Sequence, residues 1–169
     1  AGVRTALEDV SRRLTGAPRP RALALEWGDP PFVGGHWVPE LVEVAGGENV
    51  LSGPGEPSRR ATWDEVAAAD PDVVVFMPCG YRLDAAVAEA RELLERPAPA
   101  ELRALRRGGF WATDAGALFS RCTPVVAAAA AVLAAVVHPE RFPRVSARRA
   151  VRVGPLRATR TGAAPAIQS

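Results

Sequence analysis

"PDVVVFMP", residues 71–78, is the stretch on which the fold turns. Val73 to Met77 form an unbroken apolar run in which three residues are β-branched, closed at each end by a proline. A run this short, flanked by breakers, reads as a strand. Its side chains are apolar on both faces, so both faces must be covered, which is the signature of a strand inside a parallel sheet.

Elements alternate outward from this strand. Downstream, "YRLDAAVAEARELLER" (81–96) carries apolar residues at 83, 86, 87, 90, 93 and 94, a helical period; "GGFWATD" (108–114) reads as a strand; and 124–137 form a long apolar helix. Upstream, Thr62 and Glu65 of "TWDE" have the spacing of a capping box and open a helix over 63–69. "WVPELVEVAGG" (37–47) is a helix closed by Gly46–Gly47, and "RALALEW" (21–27) fits a buried strand. Residues 3–14 read as a helix broken by "TGAPRP" (15–20), and "ENVLSGPGEPSRRA" (48–61) reads as a connection. The order predicts a three-layer, Rossmann-like α/β lobe with a mostly parallel sheet whose strands include 21–26, 72–77 and 109–113.

At 169 residues the chain has room for one ordinary domain. Its net charge of +2 mixes two regions. Seven arginines and no acid follow Glu140, leaving 14 basic against 19 acidic residues in 1–140, a net of −5. All 21 basic residues are arginine, which reads as compositional bias and not as a phosphate-binding surface, so no nucleic-acid partner is expected. From 143 to 169, Arg, Ala, Gly, Pro and Thr dominate without period, and disorder is expected. Cys79 and Cys122 do not make a disulfide framework, and no CxxC or HxxxH spacing offers a metal site. The N-terminal "AGVRTALEDVSRRL" does not read as a signal peptide, and localisation is left open. "TPVVAAAAAVLAAVVHP" is too short and too alanine-rich to cross a bilayer and reads as a buried helix.

Parallel sheets bind ligands beyond the carboxyl ends of their strands, here 27–37, 78–81 and 114–121. No GxGxxG follows the first strand, no GxxxxGK[ST] or GxSxG occurs, and His36 with Cys79 or Glu26 with Asp29 make weak catalytic pairs; no catalytic residue is assigned. Binding fits better. Trp27, Phe32, Trp37, Tyr81, Trp111 and Phe119 lie at or beside strand ends, in a chain with only ten aromatics. Trp111, inside a strand, reads as core. In "EWGDPPFVGGHW" (26–37), Pro30–Pro31 would stiffen an extended loop, Gly34 and Gly35 would admit a ligand, and the rings would form one wall of an apolar cleft.

"RALALEWGDPPFVGGHWVPELVEVAGGENVL" (21–51), "TWDEVAAADPDVVVFMPCG" (62–80) and "FSRCTP" (119–124) resemble, in that order, the C-terminal lobe of cobalamin-binding proteins of the periplasmic-binding class that serve ABC importers. The resemblance covers roughly 20–140. It implies a solute-binding lobe for a corrinoid such as cobalamin, one half of a two-lobed protein, with 1–15 the end of the interlobe helix and the N-terminal lobe missing from this chain. It implies an ABC permease as partner and a ligand held without any cofactor. Phe32 matches the loop aromatic of the cleft, Asp64 the acidic residue that docks the permease, and Arg121 the arginine at the cleft edge. Cys122–Thr123–Pro124 departs from the family's pattern there. Trp27, Pro31, His36, Trp37, Tyr81 and Phe119 complete the expected ligand set, with His36 read as either a metal-directed imidazole or a backbone hydrogen-bonder. The close alternative is an iron–siderophore or haem ligand. Rivals of other classes are a Rossmann-like enzyme, such as a transferase, and an interaction fragment whose apolar face pairs with another chain.

Overall fold

A computed structural model describes residues 2–120, 125–142 and 148–154. The chain runs α1 (Val3–Arg13), β1 (Arg21–Gly28), β2 (Pro31–Val33), α2 (Val38–Val44), β3 (Glu48–Asn49), β4 (Arg59–Arg60), α3 (Trp63–Ala69), β5 (Val73–Phe76), α4 (Leu83–Leu94), α5 (Pro97–Ala100), α6 (Arg103–Arg106), β6 (Phe110–Thr113), α7 (Ala115–Leu118), α8 (Val126–Val137) and β7 (Ala150–Arg152). The sheet order is β4-β2-β1-β5-β6-β7, with β3 beside β1. β5 lies parallel between β1 and β6, as its doubly apolar sequence requires.

Alternate residues of the parallel strands feed two cores. Ala22, Ala24, Val73, Val75 and Trp111 pack with α1, α2 and α8 on one face. Leu23, Leu25, Val74, Phe76 and Phe110 pack with α3, α4 and α6 on the other. The alanines of α8 suit this layering, because Ala129, Ala130 and Ala134 are fully buried and let neighbouring helices approach. α2 ends in a Schellman turn: Gly46, at φ +80°, donates its N–H to Glu43 O, and Gly47 donates to Val42 O. His138, 1% exposed, donates from Nε2 to Gly46 O at 3.2 Å and so ties the end of α8 to that turn.

Two expectations are corrected. Residues 26–33 are not an irregular loop. β1 continues to Gly28 and folds back through Asp29–Pro30 into antiparallel β2, with the extra residue Glu26 bulging between the pairs Leu25–Val33 and Trp27–Phe32. The stretch from 143 on is not uniformly without structure either: β7 pairs antiparallel with β6, and Val153 is buried. Backbone hydrogen bonding and two buried apolar side chains, Ala150 and Val153, order it despite its arginines. The remainder of that stretch, 143–147 and 155–169, lies outside the described residues. Among the described residues no helix is long and apolar enough to cross a membrane.

Candidate functional site

The carboxyl ends of β1, β5 and β6 meet on one rim, and short-range hydrogen bonds hold their loops together. After β5, Gly80 adopts φ +78° and donates its N–H to Ser120 Oγ at 3.0 Å. After β6, Asp114 caps α7 by accepting from Ala117 N at 3.1 Å. Gly116 N then donates to Tyr81 O at 2.8 Å, joining the second and third loops. Gly116 is also a close approach, since a Cβ there would sit 3.0 Å from Gly80 O.

Trp27 and Tyr81 form the exposed aromatic feature of this rim. Their rings meet edge to face with centroids 5.5 Å apart, and Trp27 remains 37% exposed. Phe32, half-buried, is paired with Trp27 across the hairpin. Asp29 at the hairpin tip is ion-paired with Arg96. The Glu89 carboxylate pushes the Tyr81 phenol pKa up from its ordinary value, with desolvation acting in the same direction, so Tyr81 presents a neutral hydroxyl.

The other expected site residues are not all cleft surface. Phe119 is 6% exposed and packs into the α1/α2/α8 core, so it is a packing residue. Trp37 also leans on that core, and its Nε1 is buried without a hydrogen-bond partner among the described residues. Tyr81 packs against the opposite core, and no ring contact among the described residues joins the Trp27–Tyr81 pair to His36–Trp37. Trp27 and Phe32 are thus neighbours across the hairpin, while Trp37 lies against the α1/α2/α8 core. Pro31 is buried. His36 is exposed at φ +57°, with its backbone bonded at both ends to the 55–56 turn. Arg121 lies outside the described residues. Asp64 is exposed in the first turn of α3.

Gly34 and Gly35 serve a different neighbour from the one expected. A Cβ on Gly35 would lie 2.3 Å from Ser58 N and 2.4 Å from Glu56 O, both backbone atoms. Gly35 N donates to Ser58 Oγ at 3.1 Å, and Ser52 Oγ donates to Gly34 O at 2.6 Å. Gly35 thus admits the chain's own 56–58 segment, whereas a Cβ on Gly34 would press on Ala24 at 3.1 Å and Val38 at 3.3 Å, so the space beside both glycines is filled from within the fold. Ser52, Ser58, Glu89 and Ser120 were not singled out from sequence, because each acts on a residue 8 to 40 positions away and no local pattern marks it.

A mostly parallel sheet between two helical layers, with loops gathered at the strand ends, is the fold of one lobe of the substrate-binding proteins of ABC importers. Solved structures show this likeness directly. An ABC transporter substrate-binding protein from Listeria monocytogenes superposes with a TM-score of 0.73 at 15% identity, over 81% of this chain and 54% of that one. A periplasmic heme binding protein from Pseudomonas aeruginosa gives 0.64 at 25% identity, over 81% and 49%. The periplasmic vitamin B12 binding protein BtuF of Vibrio cholerae gives 0.64 at 19% identity, over 80% and 51%. The chain thus spans about half the length of the solved proteins it matches. No protein-family model matches the sequence, and no curated protein sequence matches it.

Proposed function

We propose that this chain is a solute-binding lobe of an ABC importer and that its strand-end rim holds one side of a bulky, flat metal chelate, a corrinoid such as cobalamin. The observation that carries the reading is the Trp27–Tyr81 pair, a large ring left exposed beside a hairpin and braced by a second ring. Rigid aromatics give contact area with little loss of rotamer freedom on binding. A haem is the second reading, favoured by the likeness to the periplasmic heme binding protein from Pseudomonas aeruginosa at 25% identity. Asp64 is the proposed contact for a permease, being an exposed carboxylate that makes no hydrogen bond or ion pair among the described residues. A second lobe would complete the cleft.

Calorimetric titration of the chain with cyanocobalamin and, separately, with haemin tests the reading. Saturable binding of one of them is expected, and Trp27→Ala should weaken it by about 1–2 kcal/mol, as for an interface anchor. Absence of saturable binding to either, or affinity unchanged in Trp27→Ala, would overturn it.

A further inference from the structure

At the opposite end of the strands from the rim a cavity of about 420 Å³ opens where the chain enters the sheet. Its floor is apolar, made by Trp111 of β6 and by Val136 and Val137 at the end of α8, and its mouth carries Arg19, Arg107 and Arg152. All three arginines are exposed, so the cavity joins an apolar floor to a cationic, solvent-facing mouth.

The geometry holds these arginines there. α6 ends in a Schellman turn, with Gly108 at φ +71° donating to Leu105 O and Gly109 donating to Ala104 O, which sets Arg107 at the lip. The Arg152 guanidinium carbon lies over Trp111, 4.8 Å from the ring centroid, and the side chain passes beside Gly108. A guanidinium held against a ring by its charge still has N–H groups with which to meet an acceptor. Arg19 donates to Gly47 O through Nη2 at 2.9 Å. None of the three is paired with a carboxylate among the described residues. Neighbouring Arg21 is engaged with Glu48, and Arg103 with Asp70 and Asp72. Asp72, the one acid lining the cavity, also accepts from Arg21 N at 3.0 Å, so it is committed elsewhere.

We propose that this cavity is a binding site for a small organic monocarboxylate with an apolar aromatic body, distinct from the rim and independent of the function proposed for it. The volume falls within the range of small-molecule pockets. The body would lie on Val136, Val137 and the Trp111 edge, and the carboxylate would accept charge-assisted hydrogen bonds from Arg107 and Arg152. The chain's own sequence beyond Gly154 carries Arg157 and Arg160 and no acid, the wrong sign for this mouth.

The test uses the whole chain and a pair of probes sharing one apolar body with opposite charges, 2-naphthoate and 2-naphthylmethylammonium, followed by calorimetry. Saturable binding of the carboxylate and none of the ammonium is expected, with affinity falling as salt is raised. Arg107→Glu should weaken 2-naphthoate binding by about tenfold or more, whereas Trp27→Ala, at the other end of the strands, should leave it unchanged. Arg107 is exposed and its side chain makes no hydrogen bond among the described residues, so the variant should unfold like the parent. The charge-swapped probes read the site in the unaltered protein in any case. No saturable binding of 2-naphthoate, equal binding of the ammonium, or an Arg107→Glu variant of parental affinity would overturn the proposal.

Discussion

Thr62 and Glu65 exchange two hydrogen bonds at the start of α3: Glu65 N donates to Thr62 Oγ1 at 3.1 Å, and Thr62 N donates to Glu65 Oε2 at 2.7 Å. Thr62→Ala should cost about 1 kcal/mol in urea unfolding, the usual worth of an N-cap. The Thr62 N–H, aided by Arg59, holds the Glu65 pKa below its ordinary value. A lowered carboxylate pKa contributes stability above the unfolded-state pKa and loses it as pH falls through the folded-state value. The stability gap between the parent and Glu65→Gln should therefore be full at neutral pH and close on acidification through the carboxylate range; a gap independent of pH would refute the charge's role. Gly35 makes a sharper case. Its missing Cβ is required by backbone, so Gly35→Ala should destabilise by about 2–3 kcal/mol, while Gly53→Ala, whose Cβ would meet ordinary contacts, should stay within about 0.5. The capping box was legible in the sequence because its partners are three residues apart. The need for Gly35 was not, because Ser58 approaches from a segment 23 positions away.

At the level of elements, the three parallel strands were legible because burial on both faces leaves an unbroken apolar run. The short additions, parallel β3 and antiparallel β2 and β4, were not. β2 has three residues, and β3 and β4 have two each, too few for any alternation to register. Their positions follow from β1 instead: β3 pairs with its first residues and β2 with its last, so both share one edge of the strand. β7 was hidden by composition. Its neighbours are arginines, yet Arg152 finds Trp111 and Val153 N donates to Phe110 O at 2.8 Å. Because Val153 is buried in the α3/α4/α6 core, Val153→Ala should cost about 2 kcal/mol. A loss under about 0.5 kcal/mol, the level of a neutral surface change, would mean that β7 adds nothing to the fold and that the arginine-rich segment is dispensable.

Across the whole molecule the division that matters is between rings that close the cores and rings that the rim presents. Position along the sequence does not draw that line. Phe32 and Phe119 both stand near strand ends, and both read as cleft residues from their setting; burial separates them. Phe119 sits beneath the rim, against α8, while Phe32 lies half-buried on the hairpin opposite Trp27. Phe119→Ala should lower stability by about 3–5 kcal/mol, the cost of emptying a core aromatic site, and any change in ligand affinity should follow the loss of folded protein. Phe32→Ala should cost clearly less stability and instead weaken cyanocobalamin or haemin binding by about 1–2 kcal/mol. Unfolding curves and calorimetric titrations on the two variants check this together. If Phe32→Ala proves as destabilising as Phe119→Ala and leaves the affinity of the remaining folded protein unchanged, the hairpin belongs to the core, and the rim's recognition would have to rest on Trp27 and Tyr81 alone.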